Sequence, residues 1–153
     1  FGSIDGYAAA IDDAVRRVAA ATGRAPVLIG HSMGGLAVRA WLRAAPDADA
    51  RTHRVLTLGT PHHGTWPARH ARSANGREMA SGCGWLRALA AQEPPARRAR
   101  FTCWYSNCDN VVYPPAAAML EGADNRLIEG VAHVEMAFDA RVVRACLDLL
   151  LEE

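Results

Sequence analysis

The chain contains no lysine. All 17 of its basic residues are arginine, set against 16 acidic ones, for a formal net charge of +1. An excess of one sign is therefore missing, and with it the electrostatic footprint of a nucleic-acid binder or a polybasic membrane contact. The arginine-only usage, together with abundant alanine, reads as genome composition and not as function. Long hydrophobic runs are missing too. No stretch approaches the roughly 18 apolar residues needed for a bilayer span, and the first residues do not read as a signal peptide. Cysteine is sparse: Cys83, Cys103, Cys108 and Cys146. The gap between Cys103 and Cys108 has no second Cys or His pair beside it, which argues against zinc. The four are expected to be mostly reduced, structural thiols. No metal and no cofactor is implied. An initiator methionine is absent as well. The chain opens at Phe1, so it is expected to be part of a longer protein, with its localisation left open.

What remains is 153 residues, half of them hydrophobic and 22% charged, which fits one globular domain over 1–153. Ile4, Tyr7, Ile11, Val15 and Val18 recur at helical spacing between an N-cap at Ser3 and a C′ glycine at Gly23, predicting an amphipathic helix over 4–21. Val27–Ile29 follows as a short apolar strand, then a helix over 34–45 halted by Pro46. Arg54–Leu58 is a second strand, ended by Gly59-Thr60-Pro61. From His62 to Arg98 the pattern loosens, with one short helix at Trp85–Leu89. A third strand over 100–105, a fourth around 126–128 and a final helix over 139–151 complete the chain. Strand and helix in alternation are the grammar of a parallel α/β sheet.

One stretch carries most of the chemistry. Val27-Leu28-Ile29-Gly30-His31-Ser32-Met33-Gly34-Gly35 sets a serine on a sharp turn between a strand and a helix, the G-x-S-x-G arrangement Gly30-x-Ser32-x-Gly34. The turn strains the nucleophile's backbone, so Gly30 and Gly34 are expected to be small for steric reasons. The helix N-terminus then points free amides at the serine oxygen. A bare G-x-S-x-G also arises in ordinary glycine-rich turns; the whole GHSMGG behind an apolar strand is more specific.

A serine hydroxyl needs a histidine to take its proton, and that histidine needs an acid to orient it. In the chain order Ser, Asp, His, the candidates are Asp109, just past the third strand, and His133, just past the fourth. Asp124 is the rival acid, although its place before a strand suits a turn. His31 points away from its neighbour Ser32 and reads as packing or loop support. His53 lies at the wrong end of a strand, and His70 reads as solvated. His62 and His63 lie at the right end but precede Asp109, so they are expected to line the cleft.

GHSMGG, LGTPHHGT, the Asp-Asn-Val-Val-Tyr-Pro loop and the GVAH segment together resemble a bacterial lipase/esterase of the α/β-hydrolase superfamily, over about residues 4–151 and most weakly over 66–99. The resemblance implies Ser32 as nucleophile, Asp109 as acid, His133 as base, and the Met33 amide as half of an oxyanion hole. It implies cleavage of small-molecule or lipid carboxylic esters. A transferase using the same acyl-enzyme and a non-catalytic fragment stay open as alternatives. Such hydrolases place further strands and a second oxyanion donor before the first helix seen here. The sheet is therefore expected to lack its N-terminal strands, exposing Val27–Ile29 as an open edge through which chains self-associate. Residues 62–99 are expected to form a lid or acyl-site wall, with Trp66, Trp85 and Leu86 either binding substrate or packing in the core.

Overall fold

Four parallel strands stand in sequence order, each returning to the same edge of the sheet through a crossover. In the computed structural model, which describes residues 2–151, the chain enters through a 3-10 turn, Ile4–Tyr7, and continues as α1, Ala8–Thr22. The single helix expected over 4–21 is thus tightened in its first turn. The Glu78 carboxylate binds Ile4 N–H at 2.6 Å and the Ser3 hydroxyl at 2.7 Å, tethering that turn. Gly23, at φ 70°, closes α1 with its N–H on Ala19 O, the left-handed cap that glycine adopts without a Cβ penalty.

β1 (Val27–His31) leads into α2 (Met33–Ala44), which crosses over to β2 (Arg54–Leu58). The long connection that follows holds a 3-10 turn at Pro67–His70 and the short helices α3 (Ala74–Glu78), α4 (Gly84–Ala91) and α5 (Pro95–Arg98). β3 (Phe101–Ser106), β4 (Asp124–Ile128) and α6 (Ala140–Leu151) complete the order. All three pairings, β1–β2, β2–β3 and β3–β4, are parallel. Asp124 opens β4 and is not a free turn residue.

The central strands β2 and β3 are buried on both faces because helices cover both faces there. Val55 and Leu56 are adjacent on β2 and so point to opposite sides. Val55 joins Val15, Trp41, Leu42 and Phe101 beneath α1 and α2; Leu56 joins Trp104, Met136, Val142 and Leu149 beneath α6. A third cluster packs Leu86 and Leu89 of α4 against Ile4, Leu36 and Ala40. One part of the segment expected to be loose, α4, therefore joins the core, because it has an apolar face that the flank of α2 buries. β1 is the terminal strand of the sheet, and its Ile29 is 54% exposed. No described helix is long and apolar enough to cross a membrane.

Parallel strands bring all their C-terminal ends to one edge, where open α/β sheets bind ligands. Ser32, Gly59-Thr60, the loop after Ser106 and the loop after Ile128 converge there.

Candidate active site

Ser32 sits directly after β1 at φ 54°, ψ −127°, the one non-glycine residue with positive φ among those described. For an L-residue this conformation is strained and persists only where its surroundings hold it. The Ser32 N–H donates to Leu58 O at 2.8 Å, and its carbonyl accepts from the Thr60 hydroxyl at 2.8 Å and from Gly35 N–H at 3.2 Å. Gly30 is required as expected, since a Cβ there would lie 2.6 Å from Gly35 N. Gly34 is not. A Cβ on Gly34 meets nothing within 4 Å, whereas one on Gly35 would lie 2.2 Å from Thr60 Oγ1. The steric demand falls one residue later than the motif suggests, because Thr60 on the neighbouring strand end presses on Gly35.

Met33 is the first residue of α2, so its N–H belongs to the amides that a helix leaves without an intrahelical partner. Its side chain packs toward α4 and accepts from Asn75 Nδ2 at 3.4 Å.

Ser32 Oγ lies 2.9 Å from His133 Nε2, and His133 Nδ1 lies 2.9 Å from Asp109 Oδ2. The second Asp109 oxygen accepts the Val111 and Val112 amides, each at 2.8 Å. Burial opposes ionisation of Asp109, but the His133 hydrogen bond and these two amides outweigh it and hold its pKa below the ordinary carboxylate value. An ionised carboxylate only accepts, so the proton of the neutral imidazole resides on Nδ1 and leaves Nε2 free to accept from Ser32. Gly59, at φ 55°, lies beneath the pair; a Cβ there would stand 3.0 Å from His133 Nδ1 and 3.2 Å from Asp109 Oδ2. Asp124 pairs instead with Arg126, at 2.8 Å on an exposed stretch of β4.

Residues at and just after the end of β3 fasten the histidine loop in a way the sequence did not suggest. Ser106 donates its hydroxyl to Val131 O, Asn107 accepts Gly130 N–H, and Asn110 accepts His133 N–H at 3.1 Å. His31 donates from Nε2 to His133 O at 3.0 Å, with its ring 4.8 Å from the His133 ring. That is loop support.

The residues expected to contact substrate divide. Trp66 is 57% exposed and meets Tyr113 of the acid loop edge-on, ring centres 5.9 Å apart. His63 is exposed, its N–H bound to Ala117 O. His62 does not line a cleft. It is 3% exposed, with Nε2 3.0 Å from Thr57 Oγ1 and its carbonyl accepting from Arg39. Arg39 in turn forms a buried bidentate pair with Glu93, at 3.0 and 2.8 Å. Burial first, then the Arg39 charge, pushes the His62 pKa well below its ordinary value and keeps it neutral. Trp85 donates to Asp5 Oδ2 at 3.1 Å beneath the Arg43 guanidinium, and Leu86 is core. Neither is brought to Ser32, because α4 turns its apolar face to α2.

A hydroxyl bound to an imidazole, itself bound to a buried carboxylate, is arranged to lose its proton and attack an electrophilic carbon. No protein-family model matches the sequence. Solved structures do. A mature Bacillus licheniformis lipase superposes on 97% of this chain and 75% of its own, with TM-score 0.83 and 18% identity. The chain carries the α/β-hydrolase fold. A Paleococcus ferrophilus monoacylglycerol lipase matches over 97% of this chain and 75% of its own, at TM-score 0.61 and 14% identity. Aspergillus fumigatus lipase B matches over 82% of this chain and 34% of its own, at TM-score 0.69 and 19% identity. The chain thus spans between about a third and three quarters of the length of these structures.

Proposed function

We propose that the chain hydrolyses carboxylic esters through an acyl-enzyme, with Ser32 as nucleophile, His133 as general base and Asp109 as orienting acid. The observation that carries this is the unbroken hydrogen-bond path from Ser32 Oγ through His133 to Asp109, starting from a strained serine at the N-terminus of α2.

The sequence of steps follows from the atoms. Nε2 of His133 takes the Ser32 proton as Oγ attacks the ester carbonyl, and Asp109 stabilises the imidazolium that forms. The Met33 N–H, at the positive end of α2, faces the developing oxyanion. His133 then protonates the leaving alcohol and afterwards activates water, which releases the acid and restores Ser32. Exposed Val111 and Tyr113 of the acid loop, with Trp66 beside them, suit an apolar acyl chain. The lipase and monoacylglycerol lipase names of the structural neighbours favour the same substrate class.

The test is p-nitrophenyl ester hydrolysis together with labelling by a fluorophosphonate. The parent chain should turn over the ester and be labelled at Ser32, and Ser32→Ala should do neither. Label on another residue, or more than about a tenth of parent activity left in Ser32→Ala, overturns the assignment, since loss of a triad nucleophile costs far more than tenfold. An added alcohol that diverts most of the acyl group from water would reassign the chain as a transferase.

A further inference from the structure

We propose that Thr60 and Thr65, the two ends of the Thr60-Pro61-His62-His63-Gly64-Thr65 loop, are positioning residues. In this scheme one holds the nucleophile elbow and the other holds the acid loop, so that a single stiff segment sets their separation. This rests on the triad reading above and extends it to residues that touch no substrate.

Thr60 is fully buried, and its hydroxyl donates to the carbonyl of Ser32 at 2.8 Å. That carbonyl belongs to the strained residue, so the bond fixes the peptide plane that aims Ser32 Oγ. Five residues on, Thr65 is 5% exposed. Its hydroxyl donates to Val111 O at 2.8 Å and accepts Tyr113 N–H at 2.9 Å. Those bonds close the turn whose Val111 and Val112 amides hold Asp109 Oδ1. The backbone adds further ties to the same loop, His63 N–H to Ala117 O at 3.0 Å and Trp66 N–H to Tyr113 O at 3.1 Å.

Between its two ends the loop is itself anchored. Pro61 has a fixed φ. The His62 carbonyl accepts from Arg39 Nη1 at 3.2 Å, and its ring meets Thr57 at 3.0 Å. Arg39 lies on α2, the nucleophile's own helix, and is locked by Glu93. The loop is therefore tied at three points to elements that carry or frame the site. A misplacement of about 1 Å between reacting groups can cost on the order of 100-fold in rate, so a brace of this kind acts on kcat more than on KM.

The experiment compares Thr60→Val and Thr65→Val with Thr60→Ser and Thr65→Ser in the full chain, below each variant's unfolding temperature. Four quantities are read: kcat and KM on a p-nitrophenyl ester, the rate of fluorophosphonate labelling of Ser32, and the low-field proton resonance of His133 Nδ1–H. Thr60→Val should slow labelling and kcat by about tenfold, the size of one net hydrogen bond, with KM little changed and the resonance in place. Thr65→Val should lower kcat and also shift or abolish the resonance, because Asp109 moves. Each serine variant, keeping its hydroxyl, should return toward the parent. Valine variants as fast as the parent, or serine variants as slow as the valine ones, overturn the proposal. If a valine variant does not fold, alanine replaces it: loss with alanine and retention with serine supports the brace, and equal rates overturn it. A parent chain that takes no label at Ser32 sinks the hydrolase reading, and the acid-loop half of the brace is then decided by the resonance in Thr65→Val alone.

Discussion

Gly35 and Thr60 approach so closely that a β-carbon on Gly35 would lie 2.2 Å from Thr60 Oγ1. That contact joins the nucleophile helix to the end of the neighbouring strand, and it makes the two glycines after Met33 unequal. Gly34→Ala should fold normally and gain up to about 1 kcal/mol from helix propensity. Gly35→Ala must displace Thr60 or α2, and overpacking of this kind costs about 1–3 kcal/mol. Thermal unfolding of the two variants, with ester hydrolysis beside it, checks the difference. Equal behaviour would contradict the contact.

Asp109 and Asp124 are separated by their partners. Asp109→Asn keeps the shape but loses the charge facing His133 Nδ1, and by analogy with a serine protease kcat should fall by about 10⁴. Asp124→Asn disturbs only a surface pair with Arg126 and should stay within about twofold, as exposed pairs are worth at most about 1 kcal/mol. Steady-state kinetics on one ester decides between them.

Burial of His62 gives folding a pH dependence with a definite sign. Its pKa is lowered in the folded protein, so below about pH 6.5 the unfolded chain binds a proton that the native state does not. Stability is therefore full above that pH and falls as the pH drops beneath it, by at most about 1.4 kcal/mol per pH unit for this one group. Urea unfolding between pH 7.5 and 5 measures the slope, and His62→Asn should flatten it. Asp109 adds a loss at more acid pH: its folded pKa is depressed, so its contribution persists above the unfolded carboxylate value and disappears as pH falls through the folded one.

Among the described residues, the outer side of β1 pairs with no further strand. Ile29 stands exposed on it, between an apolar groove lined by Ile11, Val15 and Val18 and another lined by Val143, Leu147 and Leu150. A strand edge of this sort, with no charge or proline within it, is a template for pairing. The isolated chain should elute as self-associated species in size-exclusion chromatography at micromolar concentration, and Ile29→Lys should shift it toward monomer. A parent chain that is monomeric throughout would contradict this.

The parts that could be read along the chain are those built from neighbours in sequence. The apolar run Val27–Ile29, the glycine-flanked Ser32 and the helix behind it form one local unit, and their pattern alone announces a strand, a turn and a helix. Arg54–Leu58 is an equally local signal. The final helix is too, since Val142, Cys146 and Leu149 recur at helical spacing. Even the chain order of Ser32, Asp109 and His133 is a one-dimensional fact.

What joins those parts is not local, and periodicity carries no record of it. His62 occupied the right end of a strand, yet it points inward, because Arg39 and Glu93, 54 residues apart, pair beneath it. Segment 62–99 read as loose because its helices are short; packing of Leu86 and Leu89 on α2 nonetheless ties α4 into the core. The need for glycine moved from Gly34 to Gly35 because of a threonine in the loop after β2. Ser106, Asn107 and Asn110 fasten a loop more than 20 residues downstream. Sequence by itself determined the strands, the long helices and the residue types able to do the chemistry. Only the tertiary structure decided which of their atoms meet, because hydrogen bonds of 2.6 to 3.2 Å depend on how strands and helices settle against one another.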